Sequence, residues 1–179
     1  MLLCLLAAAP AAAEVFLSQR EALGLAFPGA DQIEKKSVVL DDAQAAAVER
    51  LSGAKLESRL VTLHQGYRGG ELLGYALIDI HNVRTLPEAF LVVLSPDGRV
   101  ASLHMLAFYE PSEYKPPARF LAQFGERSLD AELRLGGAIH GIAGSSLSAR
   151  AVTTGVRRSL ALYQVLVRDA SGAVAFGGR

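Results

Sequence analysis

One cysteine, no tryptophan and no surplus charge of either sign mark this chain of 179 residues. The cysteine, Cys4, sits in an apolar leader, so the rest of the chain has neither a thiol pair for a disulfide nor a Cys-ligated metal site. Lys plus Arg and Asp plus Glu each number 18, so no net field steers the protein towards nucleic acid or anionic lipid. No nucleic-acid partner is expected. The run MLLCLLAAAPAAA is shorter than the roughly 20 apolar residues of a bilayer-spanning helix. It ends in Ala11-Ala12-Ala13, the small-residue pattern that signal peptidase accepts, with Glu14 as the first mature residue. A signal peptide over 1–13 and a periplasmic or otherwise extracytoplasmic location are the expectation. There is no Gly-Lys-Ser/Thr of a P-loop, no GxGxxG, and no GxSxG nucleophile elbow beside His140 and its neighbouring serines.

What remains is long enough for one domain, burying roughly 70% of the surface its unfolded form exposes. Ser18 to Glu21 has capping-box spacing and opens a short helix that stops near Pro28-Gly29. Lys35 to Leu40 reads as a strand, and Asp41-Asp42 starts a second helix that closes at Gly53. Two hairpins follow. Leu60 to Gln65 and Leu72 to His81 turn at Tyr67-Arg68-Gly69-Gly70, while Ala89 to Leu94 and Arg99 to Leu106 turn at Ser95-Pro96-Asp97-Gly98. The stretch His81 to Glu88 is expected at the sheet's edge or rim. A proline-bearing crossover, Glu110 to Pro117, leads to a short helix over Ala118 to Phe124. Ala149, Val152, Val156, Leu160 and Tyr163 then recur at helical spacing, with Arg150, Arg157 and Arg158 off that face. Val165 to Arg179 reads as an added strand or a frayed end. The fold class is α+β: a single domain with an antiparallel sheet of two hairpins packed with helices, its C-terminal helix preceded by a Gly/Ser-rich loop.

The chemistry concentrates in Gly136 to Tyr163, where a loop rich in glycine and hydroxyls runs into that helix. Backbone N–H groups and Ser145, Ser146 and Ser148 gather at the positive end of the helix dipole, which favours a phosphate. The histidines His64, His81 and His104 share no metal-ligand spacing, so no metal is expected.

The stretch His140-Gly-Ile-Ala143-Gly144-Ser145-Ser146-Leu147-Ser148 resembles the flavinylation motif of FMN-binding domain proteins, in which an acidic residue precedes a Ser/Thr-Gly-Ala-Thr tetrad. These domains are similar to the covalent-FMN subunits of the sodium-pumping NADH:quinone reductase and of the Rnf complex. The resemblance implies an extracytoplasmic flavoprotein in electron transport, FMN joined through its phosphate to Ser146, a flavin transferase that attaches it, and a redox partner in a membrane complex. It also implies domain limits: N-terminal helices and first strands over 14–75, the FMN-binding core over 76–165 and a tail over 166–179. Ser146 matches the accepting hydroxyl and Gly144 the tetrad glycine. His140 stands at the acidic position, Ala143 at the first hydroxyl and Ser145 at the alanine. Ser148, Leu147 and Arg150 complete the expected site, Arg150 one turn on from the phosphate. Phe108, Tyr109, Tyr114 and Phe120 are candidate walls for the ring. The departures leave alternatives open: attachment at Ser148, FMN held noncovalently, or a sensor or scaffold module that keeps the fold without flavin.

Overall fold

The computed structural model describes residues 14–15, 17–83 and 86–170. The expected leader therefore lies outside the described residues, as does the chain after 170. In order, the elements are β1 (Glu14–Val15), α1 (Gln19–Ala26), β2 (Gln32–Val39), α2 (Asp42–Ser52), β3 (Leu60–Arg68), β4 (Glu71–Asn82), β5 (Pro87–Leu94), β6 (Val100–Phe108), α3 (Ala118–Leu121) and α4 (Ser146–Tyr163). Short 3-10 turns lie at Ser112–Tyr114 and Ala122–Phe124.

Local chemistry sets the helix ends. Ser18 and Glu21 form the capping box of α1, each side chain accepting a backbone N–H of the other. Asp41 and Gln44 do the same for α2, which closes on Gly53 in the left-handed conformation.

The strands form one antiparallel sheet in the order β1-β6-β5-β4-β3-β2. The single sheet with its two expected hairpins is present, and only the expected rim position of His81 to Glu88 needs correction. β4 and β5 pair without a break from Tyr75–Leu94 to Asn82–Pro87, so β2 to β6 make a continuous meander. His81 and Glu88 are cross-strand partners and buried, not rim residues. Pro87 is tolerated because it opens its strand. At the same end of the sheet β3 and β4 part: their pairing runs from Leu63–Leu77 to the turn, while Leu60 to Thr62 stay with β2.

One face of the sheet carries the main core, in which Leu77, Phe90, Val92 and Phe108 meet Ala149, Val152, Val156, Leu160 and Tyr163 of α4. All five expected apolar positions of α4 are thus buried, and α2 packs beside it through Ala45 and Val48. The other face takes α1, whose Ala22 and Phe27 cover Ala76, Leu91, Val93 and Leu106. The chain beyond Tyr163 is not a strand in its described part: it continues as a π-helical turn over Gln164–Arg168.

Candidate functional site

The Gly/Ser-rich loop reaches α4 through Gly144, whose φ of 79° is the left-handed geometry that favours glycine. Ser145 is the N-cap residue, yet its own side chain does not cap the turn. Its hydroxyl instead donates to the Glu113 carbonyl of the crossover, at 3.3 Å. Intrahelical bonding begins with Ala149 N–H to the Ser145 carbonyl, so the N–H groups of Ser146, Leu147 and Ser148 precede the ladder. These residues line a cavity of about 190 Å³ closed by Val83, Glu110 and Tyr114. Such a first turn on a cavity suits an anion about the size of a phosphate. Glu110 adds negative charge to the far wall and is held by the Leu86 N–H at 3.2 Å.

The expected site residues divide around this cavity. Gly144, Ser145, Ser146, Leu147 and Ser148 all line it. Ser146 is exposed, whereas Ser148 is only 1% exposed, so Ser146 is the more accessible hydroxyl. His140 and Ala143 are exposed and line no described cavity. The His140 backbone is pinned to Gln123, its N–H donating to Oε1 at 2.8 Å and its carbonyl accepting from Nε2 at 3.1 Å. Arg150 faces a second cavity, of about 310 Å³, that meets the first at Val83 and Leu147. Of the four aromatics expected around a ring, Tyr114 lines the first cavity, while Phe108 and Phe120 are spent in the core.

Sequence reasoning missed the four charged groups under α4. His81 Nδ1 meets Asp79 Oδ1 at 2.6 Å, and its Nε2 lies 3.3 Å from Glu88 Oε1. Arg158 donates to both Asp79 oxygens, its Nη2 at 2.8 and 2.6 Å and its Nε at 2.9 Å. Burial pulls the His81 imidazolium down, but hydrogen bonds and charge from Asp79 and Glu88 outweigh it and raise the pKa to about 9. Burial likewise opposes ionisation of Asp79, yet His81 and Arg158 hold it below the ordinary value. The available signal was Asp79-x-His81, two ionisable residues on one face of an otherwise apolar strand. Arg157 was also read as lying off the core face. It is half-buried and donates to the carbonyls of Leu51, Ser52, Asp130 and Leu133.

The histidines do not converge. His64 and His104 sit opposite Ala76 and Leu91 on the α1 face, whereas His81 lies on the α4 face.

No protein-family model matches this sequence, and no curated protein is similar to it. The fold is similar to that of Shewanella oneidensis NqrC, with a TM-score of 0.54 over 79% of this chain and 85% of that one, at 9% identity. At such identity the likeness shows the fold, an α+β domain with one antiparallel sheet and a C-terminal helix.

Proposed function

We propose that this chain is an exported FMN-binding electron carrier, with the FMN phosphate at the first turn of α4 and Ser146 as its point of attachment. The observation that carries the reading is the N-terminus of α4, which its N-cap Ser145 does not cap and which opens on a cavity lined by Gly144 to Ser148. The fold shared with NqrC and the resemblance of the loop to the flavinylation motif support it. The residues present fit the phosphate: three N–H groups ahead of the helical ladder and an exposed Ser146 hydroxyl. The adjoining cavity of about 310 Å³, at the small end of the roughly 300–1,000 Å³ of ligand sites, leaves room beyond Leu147 for the rest of the molecule. Bound FMN would supply the redox chemistry, while the protein sets access and potential. A flavin transferase and a redox partner in a membrane complex are the partners this reading needs.

A second reading, a scaffold or sensor module without flavin, draws on the Glu110 carboxylate in the cavity wall and on His140 lying outside the cavity. Expression with the leader and a flavin transferase separates the two. After denaturation, protein-bound flavin absorbance and a matching rise in intact mass are expected, lost in Ser146→Ala and kept in Ser148→Ala. Flavin that leaves on denaturation would defeat the covalent bond, and a colourless native protein would defeat flavin binding.

A further inference from the structure

Four ionisable side chains, Asp79, His81, Glu88 and Arg158, cluster where β4, β5 and α4 meet, and the proposed phosphate cradle uses none of them. Glu88 is wholly buried, and among the described residues its one close polar neighbour is His81 Nε2, 3.3 Å from Oε1. Such groups cost several kcal/mol each to desolvate and are a poor way merely to fasten a helix to a sheet. Their placement points to more. His81 and Arg158 form part of the wall of the 310 Å³ cavity, whereas Asp79 and Glu88 are absent from that wall. At this cavity the cluster therefore presents its cations, while Asp79 lines, with Arg158, a separate cavity of about 200 Å³. The other charges facing the cavity are Arg150 from α4 and Lys55 and Glu57 from the segment after α2. Glu110 belongs to the neighbouring cavity, beyond Val83.

We propose that His81, held between Asp79 and Glu88, is the fixed positive charge that makes this site favour the reduced over the oxidised flavin. The inference rests on the flavin reading above. Reduction by two electrons from an external donor, with one proton from solvent, adds one negative charge to the flavin; His81 keeps its own proton. An imidazolium on a low-dielectric wall stabilises that added charge.

Potentiometric titration of the FMN-loaded protein with dithionite from pH 6 to 10 tests this. His81→Gln is expected to reduce the preference for reduced flavin about tenfold, a fall of about 30 mV for two electrons. His81→Lys restores most of it. In the wild type the potential falls more steeply above about pH 9, where His81 loses its charge, and His81→Gln lacks this break. The double variant H81Q/E88Q replaces both members of the pair with neutral partners, so the comparison survives if an unpaired Glu88 unfolds the single one. Bound FMN with the same potential and slope in all variants would overturn the inference alone. A wild type that binds no FMN would overturn the flavin reading and this inference with it.

Discussion

Neutralising His81 should change how stability depends on pH, with or without a ligand. Its pKa is 6.5 in the unfolded chain and about 9 in the fold, so the folded state holds the proton more tightly. A raised folded pKa contributes stability that is fully present below pH 6.5 and is lost as pH rises through 9. About 2.5 pH units at about 1.4 kcal/mol each make that contribution roughly 3 kcal/mol. At 8% exposure His81 is little screened by solvent. Urea unfolding of the wild type should then lose roughly 3 kcal/mol between pH 6 and pH 10 beyond the loss seen in H81Q/E88Q. Asp79 acts at the other limb. Its pKa is held below 3.8, so its contribution disappears as pH falls through that lower value, well outside the window of His81. If wild type and double variant gave parallel stability curves from pH 6 to 10, the imidazolium between two carboxylates would be the wrong protonation state, and the charge argument would fall with it.

Substitutions at two further positions probe how α4 is held. A Cβ at Gly155 would meet the Phe90 ring at 2.5 Å and the Asp79 carboxyl at 2.9 Å, so Gly155→Ala must lift α4. Overpacking of about 1–3 kcal/mol outweighs the roughly 1 kcal/mol of better helix propensity, and the melting temperature should fall. Arg157→Met removes the donor that serves four carbonyls on two segments and should cost about 2–4 kcal/mol in chemical denaturation. Arg157→Lys should recover little, because an ammonium cannot reproduce the planar fork.

The sequence made much of the framework readable, because local rules coincide with the fold there. The capping boxes at Ser18 and Asp41, the turn at Pro96 to Gly98 and the apolar spacing from Ala149 to Tyr163 each have a short-range cause. The continuous meander was less legible. Pro87 and the polar residues around it read as a break, and only long-range pairing with Asn82 shows that the ladder continues. The glycine at a positive φ and the serines at the start of α4 were readable for the same local reasons. That Ser145 turns away to bind Glu113 and does not cap the turn depends on a residue 32 positions earlier.

The same limit explains the arginines of α4, and it bears on what the helix does. Residues off the apolar stripe are ordinarily solvated, which is the reading their spacing invites. In α4, however, Leu147, Arg150, Ala151, Thr154 and Arg158 recur at three- and four-residue steps and make a second stripe, all of it on the wall of the larger cavity. At 1.5 Å per residue that stripe runs about 17 Å, from beside the phosphate cradle to the buried Asp79. Ser146 and Arg158 therefore lie about three turns apart on one helix, and Arg158 is fixed by the same carboxylate that fixes His81. A helix seated by a buried ion cluster in its second half holds its first turn in a fixed orientation. On the flavin reading proposed above, the charges belong to the site as well as to the support of the fold. Their removal should therefore register in the ligand's potential as well as in the stability of the chain.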